Sequence, residues 1–343
     1  MKVAIGSNLV EGPWGGGNSF SILLKNFLLA KNIDVVSNLD HEDIDLILLT
    51  EPRRFTQISS FTHLDIKRYL TNIKNDTIVI NRINECDERK GTQGLNKFLI
   101  NSSLISDHTV FISSWLKQLF YSQKFPNKPA SVIHNGADEN LFKKKQFSNN
   151  NKIKLVTHHW GNSIYKGSKT YQNLDKLLIT DELKDKVEFT YIGNLPKNCV
   201  LKNSNVIKPL FGSQLADELR KHDIYITGSI NEPAGMHHIE GALSGLPILF
   251  KKSGGVTEYC KDYGLAFTEE NLSLKILEII RKIEKYQKKL LNYQFTGTKM
   301  CENYFNLFES LHNNKKEVIN IRKDYSNIKF LNQYKIFKKY FYF

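Results

Sequence analysis

The stretch Glu232-Pro233-Ala234-Gly235-Met236-His237-His238-Ile239-Glu240-Gly241-Ala242-Leu243-Ser244-Gly245-Leu246-Pro247-Ile248-Leu249-Phe250 decides the reading of this chain. From Pro233 to Phe250 the one full-time charge is Glu240, set among Ile, Ala, Leu, Met and Gly. A carboxylate is costly to bury in such company unless hydrogen-bond donors or a ligand meet it. The segment reads as a loop, a helix opening near Gly235, a stop at Gly245-Leu246-Pro247 and a buried strand over 248–250. Backbone N–H groups at the start of such a helix suit an anionic phosphate. Glu232 before the helix and Glu240 inside it, eight residues apart, could hold the hydroxyls of a bound sugar nucleotide.

Outward from this stretch, strand-like and helix-like segments alternate, the pattern of an α/β protein with parallel sheets. In the first half strands are expected at 2–5, 33–36, 45–50, 77–83, 108–113 and 131–134, with helices at 19–30, 65–73 and 94–105. A polar, low-complexity run over 143–152 reads as a linker. The pattern then restarts, with strands at 153–157, 187–192, 205–208, 224–227 and 248–250 and helices at 168–178, 213–221 and 235–243. A longer amphipathic helix is expected over 272–291. The two halves read as doubly wound domains, whose ligands sit at the carboxyl ends of the strands, so a cleft between the domains is the expected site.

At 343 residues the chain is long enough for two domains with separate cores. No apolar run approaches the roughly 18 residues of a transmembrane helix. The opening Met1-Lys2-Val3-Ala4-Ile5-Gly6 lacks the apolar core of a signal peptide, so cytoplasmic residence is expected. The four cysteines, Cys86, Cys199, Cys260 and Cys301, are widely spaced and signal neither a disulfide framework nor a zinc site. A formal charge of +13 invites a nucleic-acid reading, but Lys outnumbers Arg five to one and Arg53-Arg54 is the only adjacent arginine pair. Bidentate phosphate grips are therefore scarce, and no nucleic-acid partner is expected. The positive surface would instead attract nucleotide diphosphates or anionic headgroups.

With these residues laid out, the chain resembles family 4 of the glycosyltransferases, retaining enzymes of the GT-B fold: two Rossmann-like doubly wound domains facing a central cleft. The resemblance runs over roughly residues 1–312. It is carried by the Glu-x7-Glu spacing of Glu232 and Glu240, and by Val132-Ile133-His134-Asn135-Gly136-Ala137-Asp138 through Phe142. Phe111-Ile112-Ser113-Ser114-Trp115-Leu116, Tyr191-Ile192-Gly193 and Gly254-Gly255-Val256-Thr257-Glu258 add to it, in the family's order. The domains expected are 1–148 on the acceptor side and 149–312 on the donor side, followed by a basic aromatic tail at 313–343.

The resemblance implies a nucleotide-diphosphate sugar as donor substrate, a glycan or lipid-linked acceptor, and no cofactor or metal. Glu240 would hold the ribose hydroxyls. Glu232 would contact the donor sugar, helped by main-chain groups at Ala234, Gly235 and Met236. Lys166 resembles the lysine that neutralises the leaving diphosphate. Gly15, Gly16 and Gly17 resemble the loop that approaches the donor phosphates, and Gly193 ends the strand near the base. An arginine usual before the lysine is missing from His158-His159-Trp160-Gly161-Asn162, and the family's histidine after the fourth strand is replaced by a polar cluster with Asn84, Glu85 and Asp87.

The expected role is synthesis of polysaccharide or lipopolysaccharide. The alternatives are a transferase of the same fold acting on protein or a small metabolite, and a catalytically silent sugar-nucleotide binder. Asp43-Ile44-Asp45 matches the metal-binding Asp-x-Asp of the other main glycosyltransferase fold, but reads better as a solvated strand start. Trp14 is a candidate for stacking on a sugar ring or for packing at the rim. In the tail, Phe330, Tyr334, Phe337 and Phe341 lie at helical spacing among lysines, which suits an interfacial helix at a membrane or a helix folded back on the first domain.

Overall fold

The computed structural model describes residues 1–10, 12, 15–54, 56–144, 152–322 and 328–331. The chain divides into two compact units. One comprises Met1–Val10, Gly16–His134 and the described residues from Thr298 onward, and the other is built on Asn135–Gly297.

The first unit holds six parallel strands, β1 (Lys2–Ile5), β2 (Asp34–Val36), β3 (Leu46–Leu49), β4 (Ile78–Ile83), β5 (His108–Phe111) and β6 (Ala130–Val132), in the order β2-β1-β3-β4-β5-β6. Every residue of β3 and β4 is buried, as a parallel sheet covered on both faces requires. On one face Ile47, Leu49 and Val79 meet Ile66, Tyr69 and Leu70 of the helix His63–Asn72. On the other face Val3, Leu46 and Ile80 meet Phe20, Leu24 and Leu28 of the helix Gly16–Ala30.

The second unit repeats the plan with β7 (Ile153–His159), β8 (Val187–Gly193), β9 (Asn205–Ile207), β10 (Ile224–Thr227), β11 (Ile248–Lys251) and β12 (Gly264–Phe267). Their order is β12-β11-β10-β7-β8-β9, again all parallel. Chain order reverses between β7 and β10. Ligands of open α/β sheets bind outside the carboxyl ends of the strands at such a switch point.

Three features differ from the sequence expectation. The units divide after His134, not near 148, because the segment that follows packs within the second unit: Asn135 N–H donates to the Tyr259 hydroxyl at 3.0 Å, and Ala137 forms a parallel bridge with Thr296. Residues 145–151 of the expected linker lie outside the described residues. The helix Gly297–Asn313, expected on the donor side, belongs to the first unit from Thr298, because Met300, Cys301, Tyr304 and Phe308 form one stripe against Val3, Phe20 and Leu24. The helix expected over 272–291 is two helices, Leu272–Arg281 and Ile283–Leu290, with Lys282 between them at φ −111° and ψ 11°.

The end of the described chain is fastened to the first unit. The Arg322 guanidinium donates to both Asp107 carboxylate oxygens at 2.7 and 2.6 Å, and to the carbonyls of Asn75 and Thr77, each at 2.6 Å. Phe330 packs beside His63 with ring centroids 5.3 Å apart, and Leu331 N–H donates to Asn101. Residues 328–331 are not helical, and the remainder of the aromatic stripe, with Tyr334, Phe337 and Phe341, lies outside the described residues. Removing one partner of a buried, hydrogen-bonded ion pair strands the other. Arg322→Ala is therefore expected to lower stability to urea by about 3 kcal/mol, with Arg322→Lys recovering only part because it cannot reproduce the bidentate fork.

Candidate active site

The carboxyl ends of β7 and β10 carry the polar cluster of the second unit. Beyond β10 the chain runs through Glu232 to Gly235 and then forms the helix Met236–Leu243. Gly235 has φ +83° and ψ 108°, and a Cβ there would lie 2.8–3.0 Å from the rings of His237 and His238 and from Glu232 Cγ. Only glycine fits this turn, which aims the first helical N–H groups, those of Met236, His237 and His238, out of the helix. These groups have no intrahelical partner and carry the positive end of the helix dipole.

Glu232 is held from both sides. Its Oε2 lies 2.8 Å from Lys166 Nζ, at the end of the single 3₁₀ turn Ile164–Lys166. Its carbonyl accepts the Gly255 N–H at 2.9 Å, which assigns a local role to the Gly254-Gly255 pair. Ile230 N–H donates to the Tyr165 carbonyl at 2.8 Å and ties the lysine turn to the Glu232 loop. Lys166 and Glu232, 66 residues apart in sequence, thus meet at the site.

Glu240 sits one turn into the helix, and its Oε2 lies 2.7 Å from His158 Nε2. The neighbouring His159 faces the other way, its Nε2 2.7 Å from the Tyr171 hydroxyl. Gly193 closes β8 at φ +137°, where any Cβ would lie 1.9 Å from the His159 carbonyl oxygen, so only glycine fits beside the end of β7. Among the described residues no cluster of three or more His, Cys, Asp or Glu side chains is arranged to hold a metal ion.

The structure sets Lys166 and Gly235 beside Glu232 and places Met236 and Glu240 on the helix that follows, while Gly193 lies opposite His159 at the end of β8. Gly15, Gly16 and Gly17 belong to the loop after β1 and to the first turn of Gly16–Ala30, with Gly15 at φ +82°. Trp14 lies outside the described residues. The acidic cluster after β4 is committed to local structure: Asp87 accepts the N–H groups of Gly94, Leu95 and Asn96 and the Thr92 hydroxyl, and Glu85 pairs with Lys90 at 2.9 Å. Asp43 and Asp45 precede β3 at the amino end of the sheet, where they bind the Lys2 side chain and backbone N–H, respectively. The contacts of His158 with Glu240 and Tyr225 are not legible in the sequence, because a strand pattern gives no sign of which polar end residue turns toward the helix.

Three solved structures show what this arrangement is similar to. A sucrose-phosphate synthase (tll1590) from Thermosynechococcus elongatus superposes with a TM-score of 0.66 at 12% identity, over 91% of this chain and 99% of that one. Anabaena Alr3699/HepE in complex with UDP-glucose gives 0.65 at 14% identity, over 91% and 100%. A glycosyltransferase from Rickettsia africae ESF-5 gives 0.62 at 14% identity, over 90% and 98%. The fold is GT-B. No protein-family model matches the chain, and no curated protein sequence does.

Beneath this cluster lie two buried imidazoles, His237 and His238. Burial pushes the His237 imidazole well below its ordinary value and takes His238 to about 3. Both ring nitrogens of His238 are buried without a hydrogen-bond partner among the described residues, beside Tyr259 and His237. In the unfolded chain these imidazoles take up protons below pH 6.5, while in the folded chain they do so only far lower. Stability is therefore lost as pH falls from about 6.5 toward 3. His238→Phe removes one such group. It is expected to flatten the pH dependence of stability between pH 6 and 4 by about 1.4 kcal/mol per pH unit, read from urea midpoints.

Proposed function

We propose that this chain is a retaining glycosyltransferase of family 4, moving a sugar from a nucleotide-diphosphate donor to a hydroxyl of a glycan or lipid-linked acceptor. The observation that carries the reading is the convergence of Glu232, Glu240, Lys166 and a helix N-terminus at the switch point of the second sheet. Among proteins of similar fold, one is named a sucrose-phosphate synthase and another was solved with UDP-glucose, which supports a nucleotide sugar as donor. The proposed setting is polysaccharide or lipopolysaccharide synthesis in the cytoplasm. No helix among the described residues is long and apolar enough to cross a membrane.

In this reading Glu240 accepts hydrogen bonds from the ribose hydroxyls and Glu232 from hydroxyls of the donor sugar. The diphosphate lies against the N–H groups of Met236 and His237, within reach of Lys166, with Gly193 allowing close backbone approach. Fixed donors aimed at the leaving group stabilise its developing charge without reorganisation. Lys166, in contact with Glu232, then answers to both carboxylate and phosphate, and so couples sugar position to leaving-group charge. The leaving phosphate takes the acceptor proton, so no protein nucleophile is assigned. The arginine missing from 158–162 leaves Lys166 and the helix N-terminus to hold the diphosphate between them.

Hydrogen bonds to a charged group contribute about 1.5–3 kcal/mol, so Glu240→Ala is expected to weaken donor binding by roughly 10- to 100-fold. The test is thermal stabilisation by a panel of nucleotide sugars, with Glu240→Ala and Lys166→Ala in parallel. One donor should shift the wild type, with Lys166→Ala losing more affinity for the diphosphate than for the monophosphate. A shift identical in wild type and both variants would reject the site, and donor binding without turnover on any acceptor would leave a silent binder.

A further inference from the structure

The second sheet contains a chain of hydrogen bonds that ends on Glu240 and that a donor-binding carboxylate does not by itself require. It starts at Tyr225 on β10, a fully buried side chain. The His158 N–H donates to the Tyr225 hydroxyl at 3.0 Å, and the same hydroxyl lies 3.1 Å from His158 Nδ1. With the hydroxyl donating a hydrogen bond to Nδ1, the ring proton sits on Nε2 and is donated as a hydrogen bond to Glu240 Oε2, 2.7 Å away. Burial holds the phenol pKa well above its ordinary value, so it remains a donor throughout the working pH range.

The helix is shaped to fit this chain. Gly241 follows Glu240 directly, and a Cβ there would lie 2.4 Å from Tyr225 Cδ2. The absence of a side chain at 241 lets the helix rest on the tyrosine ring whose hydroxyl pins His158. Three elements, β7, β10 and the helix, therefore fix one carboxylate. With Oε2 occupied by His158, Oε1 is the oxygen left for a ligand.

We infer that His158 is the positioning residue of Glu240, and that the chain Tyr225–His158–Glu240 sets the choice of ribonucleotide over 2′-deoxyribonucleotide donors. The inference rests on the proposed reading that Glu240 takes the ribose hydroxyls. A carboxylate free to rotate can turn to water when a hydroxyl is missing. A carboxylate held in place cannot, and its stranded acceptor penalises the deoxy ligand. Sites built to bond a hydroxyl reject analogues that lack it for this reason.

The test is calorimetric titration of UDP, ADP and GDP and their 2′-deoxy counterparts into wild type, His158→Ala, His158→Gln and Tyr225→Phe, with Glu240→Ala as control. For the nucleotide that binds, wild type should prefer the ribo form by about tenfold or more. Glu240→Ala should abolish the preference, and His158→Ala should bring it within about threefold of that variant. His158→Gln, which keeps an N–H donor, should recover part of it. A purely structural role for His158 predicts equal losses for both forms. An unchanged ratio in His158→Ala, with Glu240→Ala collapsing it, overturns the inference and leaves the donor-site reading intact. No preference in wild type, no binding by any of the nucleotides, or no effect of Glu240→Ala rejects that reading and the inference with it. Should His158→Ala fail to fold, Tyr225→Phe decides the matter, because it keeps the ring against Gly241 and removes only the hydroxyl. A ratio lowered by about threefold or more supports the inference, and an unchanged one overturns it.

Discussion

The structure of the second unit depends on keeping a carboxylate at the edge of an apolar helix. Glu240 is flanked by Ile239, Gly241 and Ala242, and the helix that carries it packs against the buried strands β10 and β11. A charge in that setting is tolerated only with a partner fixed in place, and His158 supplies it from β7. The strand order makes this possible: β7 and β10 are neighbours although 64 residues separate the end of one from the start of the other. Parallel pairing then delivers their carboxyl ends, and the helix N-terminus that follows β10, to one edge of the sheet.

The first unit uses a similar sheet differently. Its acidic cluster after β4 is spent on a turn and a helix start, with the Asp87 carboxylate serving three backbone N–H groups and a hydroxyl. Its carboxyl-end layer is instead a hydroxyl network in which Ser7 bonds Ser21 and Thr50 at 2.8 and 2.9 Å. Charged residues near a strand end are thus ambiguous on their own. In the second unit the acids face a lysine and a histidine across the fold, whereas in the first they close local loops.

The sequence revealed the strands well where short apolar runs are bounded by polar residues, as at Lys2–Ile5 and Ile224–Thr227. It revealed Glu232 and Glu240 because charge in an apolar stretch demands a reason. It did not reveal β12, four residues that begin with a glycine. The break at Lys282 was invisible for another reason: Leu272, Ile276, Ile279, Ile283, Tyr286 and Leu290 keep helical spacing straight through it. The placement of Gly297–Asn313 depends on which core its stripe meets, and periodicity marks a stripe without naming its partner. Lys166–Glu232 and His158–Glu240 are contacts over 66 and 82 residues, set by strand order and absent from any local pattern.

In the proposed function, the switch point of the second sheet binds a nucleotide sugar through Glu240, Lys166 and the helix beginning at Met236. The most direct measurement is a crystal structure of the full chain soaked with a nucleotide-diphosphate sugar. Ribose hydroxyls are expected within hydrogen-bond distance of Glu240, with the diphosphate over the N–H groups of Met236 and His237 and against Lys166. Ligand density elsewhere in the chain, with Glu240 still bound only to His158, would contradict it.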